Sequence, residues 1–468
     1  MLGLAFGIGF FGPTLWWIAL FGTLAWSILV LGSAAAIALV GAIAPAVWRA
    51  DHPFRSSAGL AALWVVVDAG RGAWPLGGFT WGQLGVSQVA DPAILPLARV
   101  TGVWGVTFAV ILVNALLLVA MERARVRQRS GFGAALLALA IVAVPSFIPG
   151  PAGGGRPIRV AALQVDVRPF RSLSSQQEDR AVTTAIVGLH ATLAADPPEL
   201  AVWGESAIDP GSTIPSFWSR VVVPAIRDVG APTLAGSVQP GSTGLQNQAL
   251  AIDARGRIVG RYAKVHLVPY GEYVPFRDRL SWVSALRQVP YDLTPGASIH
   301  ALRLPGLPPF GTPICFENSF PSIDRQMVRD GAEFLVVLTN DASYETTAAS
   351  AQQLQMSRMR AVEDGRWVVH GAVSGISAVI DPHGRVLGER GLFDTGILRA
   401  TIRSSSERTW YVRLGDWFPR TCLLLVIGLL AVPASRRRRV PAESLPDSPT
   451  TLVILPTYNE RDTIEWVI

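Results

Sequence analysis

Apolar runs of membrane-crossing length bracket one long hydrophilic stretch in this chain. Residues 1–22, 25–48, 57–75, 98–121 and 131–149 are largely apolar, and a sixth such run covers 417–434. A helix needs about 20 apolar residues to cross the ~30 Å hydrocarbon core of a bilayer. Only 16% of the 468 residues are charged and 50% are hydrophobic, where a soluble globular protein carries roughly 25% charged residues. With a mean hydropathy of +0.37, the chain is expected to be, in part, a multi-span α-helical membrane bundle. The first run starts at Met1 with no charged flank and no small-residue cleavage site, so it does not read as a signal peptide.

The formal charge of +6 is explained by where the arginines lie rather than by nucleic acid as a partner. The 49–55 loop is mildly basic, 122–130 holds Arg123, Arg125, Arg127 and Arg129, and Arg436 to Arg439 follow the last run. With six spans these three places share a side, which the positive-inside rule makes cytoplasmic. The 76–97 loop and all of 150–416 are then expected outside. Trp74, Trp81, Trp104, Trp410 and Trp417 fall near the outer span ends, where an aromatic belt belongs. Asp68 and Arg71 lie three apart within the third span. Mutual pairing is the plainer reading, and a direct role is the alternative.

Residues 157–415 alternate strand-like and helix-like segments, the pattern of a layered α/β domain. Strands are expected at 159–165, 199–203, 233–238, 248–253, 257–263, 334–338, 367–380 and 385–388, and helices at 177–195, 322–329 and 349–363. Asp253-Ala254-Arg255-Gly256 and Asp381-Pro382-His383-Gly384 read as turns between strands. Two cysteines far apart, Cys315 and Cys422, make no disulfide framework, and the six histidines show no zinc-ligand spacing.

Three polar residues follow apolar strand-like segments: Glu205, Lys264 and Cys315. A cysteine nucleophile has to lose its proton, so it needs a base or a positive neighbour. A desolvated carboxylate serves as the base, and an ammonium both lowers the thiol pKa and stabilises an oxyanion. Together the three make an acyl-transfer site. Taken singly, Cys315 reads equally as a buried structural thiol and Glu205 with Lys264 as an ordinary ion pair. No GxSxG occurs, which argues against a serine α/β-hydrolase site.

The segments Trp203-Gly204-Glu205-Ser206, Tyr262-Ala263-Lys264-Val265-His266-Leu267-Val268-Pro269 and Ile314-Cys315-Phe316-Glu317 resemble the catalytic motifs of the nitrilase, or carbon–nitrogen hydrolase, superfamily. Within it, the 264–275 block, Thr339-Asn340-Asp341-Ala342, the 355–361 block and the 375–380 block resemble the apolipoprotein N-acyltransferases. The resemblance covers about 1–435. It implies an extracytoplasmic α/β nitrilase-like domain, an α-β-β-α sandwich, with Glu205, Lys264 and Cys315 catalytic and Glu272 and Glu317 supporting. It implies no metal and no other cofactor. The donor would be a membrane phospholipid, and the acceptor the diacylglyceryl-cysteine of a lipoprotein.

The family usually has eight spans, two of them before the point where this chain starts, so the first two are expected to be missing. Two positions depart from the family pattern: Gly204 stands where Pro is common, and Phe316 where Tyr is common. The expected domains are 1–149 (five spans), 150–416 (catalytic), 417–434 (last span), 435–450 (a basic, Pro-rich linker) and 451–468. The last, through Leu452-Val453-Ile454-Leu455-Pro456-Thr457-Tyr458-Asn459-Glu460, resembles the start of a family 2 glycosyltransferase of the polyprenol-phosphate mannose synthase type. That implies a fused or associated mannose synthase, as in some actinobacteria. The rival readings are a membrane-tethered amidase and a catalytically silent anchor for the mannosyltransferase.

Overall fold

A computed structural model describes residues 1–431 except Ala50, Ala152, 209–216, Ser281, 284–285 and Gln288. The linker at 435–450 and the glycosyltransferase-like segment at 451–468 lie outside the described residues. The chain divides into two compact units, Met1–Pro149 with Asp416–Ile468, and Gly150–Gly415.

The first unit is helical. Its described elements include α1 (Leu2–Thr14), α2 (Thr23–Val47), α3 (Pro53–Arg71), α4 (Val103–Arg125), α5 (Ser130–Ala143) and a last helix, Trp417–Leu430. Thr23–Val47, Val103–Arg125 and Ser130–Phe147 are long and apolar enough to cross a membrane; Leu2–Thr14 and Trp417–Leu430 are apolar but shorter. The first expected span gives way after Thr14, where a 3-10 turn (Trp16–Phe21) takes over. The fourth begins five residues late, because Gly102 adopts a left-handed φ of 69° and separates a short turn at Ala98–Thr101 from α4. Helices α1 and α2 approach closely at Gly7, where a Cβ would lie 2.7 Å from Ala34 Cα. Small residues at such a crossing let the two backbones approach closely. Asp68 and Arg71 do pair, Nη2 to Oδ1 at 2.7 Å. Arg71 Nη1 also donates to the carbonyls of Phe79 and Trp81, which pins the loop after α3.

The second unit is built on two sheets. The strands are β1 (Pro157–Gln164), β2 (Leu200–Ile208), β3 (Thr233–Pro240), β4 (Leu245–Ile252), β5 (Ile258–Ala263), β6 (Phe310–Gly311), β7 (Phe334–Thr339), β8 (Val368–Ala372), β9 (Ser377–Ile380), β10 (Val386–Arg390) and β11 (Gly396–Arg403). The helices are α6 (Ser175–Ala191), α7 (Val223–Val229), α8 (Pro321–Arg329), α9 (Ala349–Asp364) and α10 (Trp410–Leu414). The first sheet has the order β11-β1-β2-β3-β4-β5 and the second β10-β9-β8-β7-β6. β1, β2 and β3 run parallel, as do β6, β7 and β8.

Side chains alternate across β1 and β2, which sorts the layers. Ala161, Leu163, Ala201 and Trp203 pack with Val182 and Ile186 of α6 and Ile226 and Val229 of α7. Val202, on the other face, meets the second sheet so closely that a Cβ on Gly371 would lie 2.7 Å from its Cγ1. Gln164 Oε1 spans the same seam, accepting from the Ser377 backbone at 3.0 Å and its hydroxyl at 2.7 Å. Each fully buried Leu, Ile or Val contributes about 1.5–3 kcal/mol, so this double layer is a stiff platform for loops at its edge.

Three local expectations are corrected here. The strand expected over 367–380 is two strands, β8 and β9, parted where Gly375 lets the Asp341 carboxylate come close; a Cβ there would lie 2.8 Å from Oδ2. Glu205 does not follow its strand but lies inside β2, at a register shift against β3 between Trp203 and Ile208. Cys315 does not end a strand either. Only Phe310–Gly311 pairs as β6, Ile314 makes a lone bridge to Leu338, and Cys315 opens a 3-10 turn through Ser319.

Candidate active site

Lys264 is the first residue after β5, and its backbone N–H donates to Asn247 O in β4. This places its side chain, 1% exposed, in the interior. Its Nζ meets Glu272 Oε2 at 3.0 Å and Glu205 Oε1 at 3.4 Å. Asn247 Nδ2 lies between the two carboxylates, 2.7 Å from Glu205 Oε1 and 2.9 Å from Glu272 Oε1. Glu272 also accepts from the Val268 backbone at 2.8 Å. Burial alone would lower the lysine pKa. The carboxylates of Glu272 and Glu205 overcome it, and the net shift is upward. Lys264 is therefore held as an ammonium.

Glu317 ties the Cys315 turn to the lysine segment. Its carboxylate accepts from Ile314 N at 2.9 Å, Val265 N at 2.7 Å, His266 N at 3.1 Å and Tyr262 Oη at 2.9 Å. The residue before Cys315 and the two after Lys264 thus share one acceptor. Burial pushes Glu317 up to about 7, and the backbone donors around it work against that rise. An acceptor enclosed by donors is suited to hold the turn rather than to shuttle protons.

Cys315 is buried and has a left-handed φ of 52°, and Ser206, next to Glu205, has 57°. Non-glycine residues in that region carry strain of order 1–3 kcal/mol, and such strain clusters at functional sites. Burial first, and Glu205 second, push the thiol pKa up, while Lys264 draws it down. The thiol thus sits within electrostatic reach of both a carboxylate and an ammonium. Gln353 Nε2 lies 3.7 Å from the sulfur.

The fold therefore brings all five sequence-predicted residues, Glu205, Lys264, Cys315, Glu272 and Glu317, into one neighbourhood. Asn247, Gln353 and Thr339 were not singled out as site residues by sequence. For Asn247 a signal existed, since Gln246-Asn247-Gln248 is a polar run leading directly into the apolar 249–252 strand. Among the described residues there is no group of three or more His, Cys, Asp or Glu that could hold a metal.

The chain matches a carbon-nitrogen hydrolase family profile over residues 226–411, which contains Lys264, Cys315, Glu272 and Glu317. That match and the two-sheet architecture define the class, a carbon–nitrogen hydrolase-type α/β domain. A second profile, the apolipoprotein N-acyltransferase N-terminal domain, matches residues 1–116. Among curated relatives, the apolipoprotein N-acyltransferase of Geobacter metallireducens is 33% identical over 81% of this chain and 73% of its own. That of Rhizobium leguminosarum is 31% identical over 93% and 85%. Of solved structures, an amidase from Nesterenkonia sp. aligns at 20% identity and a TM-score of 0.41, over 56% of this chain and 94% of that one; this is too distant to add to the argument. The chain belongs to the apolipoprotein N-acyltransferase family.

Proposed function

We propose that this protein is a membrane N-acyltransferase that moves a fatty acyl chain from a phospholipid to the α-amino group of a lipoprotein's diacylglyceryl-cysteine. The observation that carries the reading is an ammonium, Lys264, enclosed by two carboxylates and in electrostatic contact with a strained cysteine. Family membership supplies the substrates.

In this mechanism Glu205 takes the Cys315 proton as the sulfur attacks the ester carbonyl, and Lys264 stabilises the oxyanion. Collapse expels the lysophospholipid oxygen, which takes the proton back from Glu205, and leaves a thioester. The lipoprotein amine then attacks the thioester. Its proton passes to Glu205 and on to the departing sulfur. Glu272 keeps Lys264 charged and in place, and Glu317 holds the turn. No step calls for a metal or an organic cofactor.

The proposal extends to topology. Residues 150–416 would lie on the outer face of the cell membrane, with six spans and the arginine clusters at 122–130 and 436–439 inside, on the arginine bias alone. The Leu452–Glu460 motif supports a fused or associated polyprenol-phosphate mannose synthase by resemblance only.

The deciding experiment separates transferase from hydrolase. In proteoliposomes with phospholipid and no acceptor, wild type should accumulate a hydroxylamine-sensitive acyl-enzyme at Cys315 and release little fatty acid. Adding a diacylglyceryl-cysteinyl peptide should discharge it as the N-acyl peptide. Steady fatty-acid release that the peptide leaves unchanged would make the protein a membrane hydrolase.

A further inference from the structure

Glu205, Lys264 and Glu272 come from the first sheet and the loop after β5. A second group of side chains reaches Cys315 from β7 and α9, which supply none of these. Gln353 is 1% exposed, and Thr339 and Asp341 are fully buried. Gln353 Nε2 faces the Cys315 sulfur at 3.7 Å, and its Oε1 lies 3.0 Å from Thr339 Oγ1. Thr339 Oγ1 is in turn 2.8 Å from Asp341 Oδ1. The α9 backbone at Gln353 accepts from Asn318 Nδ2 at 3.4 Å, and the same nitrogen reaches Ser357 Oγ at 2.9 Å. Asn318 belongs to the nucleophile turn, so the turn and the glutamine are fixed to one another twice.

Proton counting gives this row a direction. Thr339 has one hydroxyl hydrogen and two acceptors within reach. With Oε1 turned toward Thr339 and Nε2 toward the sulfur, both contacts are full hydrogen bonds when Asp341 is protonated and donates to Thr339 Oγ1, which then donates to Gln353 Oε1. Burial moves Asp341 toward that neutral form, the Thr339 and Ser350 hydroxyls oppose it, and the charge of Glu205 reinforces it. With its carbonyl engaged by Thr339, Gln353 has its amide N–H groups left for the sulfur.

We infer that Gln353 is a further catalytic residue, whose side-chain amide donates to the Cys315 sulfur and stabilises it as the thiolate, and that Thr339 and Asp341 are positioning residues that fix which end of the amide faces the sulfur. Lys264 supplies the charge, and Gln353 supplies a directed neutral donor. The sulfur needs that donor twice, when it attacks the ester and when it leaves the thioester. The inference rests on the acyl-transfer reading for its place in the reaction, but its test does not require transfer.

The test uses the full chain in detergent and follows alkylation of Cys315 by iodoacetamide against pH, read by mass spectrometry at the Cys315 peptide so that Cys422 does not contribute. Gln353→Met keeps the length and removes the donor. It should raise the apparent thiol pKa by about one to two units, a ten- to hundredfold loss of thiolate near neutrality. Acyl-enzyme formation should slow to match, and the melting temperature should change little. Gln353→Glu should raise the pKa further. Thr339→Val should shift it in the same direction by less, and Thr339→Ser should restore the wild-type profile, so the Thr339 pair carries the test if Gln353→Met does not fold. An alkylation profile unchanged in Gln353→Met, with activity falling only as the melting temperature falls, would reduce Gln353 to a packing residue and overturn the assignment. A wild type that gives the expected alkylation shifts among its variants, yet acylates no peptide, would sink the functional reading and still support this one.

Discussion

Lys264 and Arg360 are both 1% exposed, and both face carboxylates inside the same domain. Around Lys264, the carboxylates Glu205 and Glu272 also accept from Asn247, and Glu272 from a backbone N–H. Around Arg360, which meets Glu363 at 2.7 Å, lie Asp324 and Asp364; none of their four oxygens accepts a hydrogen bond among the described residues. That second cluster joins α8 to α9, and Arg325 extends it to Tyr411 of α10 at 2.7 Å. Burial of charge is common to both. What sets the first apart is a strained thiol within reach of its charges and a network of directed donors. Buried ionisable groups alone would have pointed to two sites, and only one of the two holds a thiol.

The largest expected effect is at Cys315, the proposed nucleophile. Cys315→Ala should leave no measurable N-acylation of a diacylglyceryl-cysteinyl peptide in proteoliposomes while unfolding cooperatively. Glu205→Gln should lose ~10²–10⁴-fold in rate, the usual cost of removing a general base. The contrast between the two clusters breaks if Glu205→Gln stays active and merely melts early.

Removing the cation from each cluster sharpens the comparison. Lys264→Met and Arg360→Met each strand buried carboxylates, a loss commonly worth about 3–5 kcal/mol. Denaturant unfolding should show both destabilised. Rate per folded molecule should separate them: Lys264→Met should fall ~10²–10³-fold with the loss of an oxyanion donor, and Arg360→Met should stay near wild type.

The smallest effect is on stability against pH. His190, His266 and His370 are held at about 4 by burial, so their contribution is present above their ordinary value of 6.5 and is lost as pH falls toward 4. Asp341 is pushed up to about 7 and Asp364 to about 8, also by burial. For these acids the sign is reversed, and stability is lost as pH rises through the raised values. The two sets oppose one another below 6.5, and only the acids act above it. Stability should therefore decline from pH 6.5 to 8 by on the order of 1–2 kcal/mol. Glu317, pushed up to about 7 by burial, acts in the same direction. Asp364→Asn should remove most of that slope if the Arg360 cluster is its source; a slope unchanged in Asp364→Asn assigns it to the acids around Cys315, Asp341 and Glu317.

The chemistry was more legible in the sequence than the geometry that aims it. Cys315, Glu205, Lys264, Glu272 and Glu317 each stand in a contiguous motif, and reaction chemistry dictates residue type directly. Gln353 and Asn247 reach the same point from separate elements, so their roles depend on distances that local patterns do not encode. The strand break between Ala372 and Ser377 was hidden for a similar reason, since it lies where Gly375 admits the distant Asp341 carboxylate, a contact the local pattern does not encode. β11 escaped because its side chains are mostly half-exposed on an outer strand, which blurs the apolar alternation. In the helical unit, apolar length located the segments, while their ends answered to Gly102 and to the turn after Thr14.

The left-handed backbone at Cys315 sets two kinds of selection against each other. A glycine there would relieve about 1–2 kcal/mol, so a library screened for heat resistance alone would drift away from cysteine at 315. A library screened for lipoprotein maturation would hold it. Thermostabilising designs for this enzyme that treat every residue as free would erase the proposed nucleophile among their first gains.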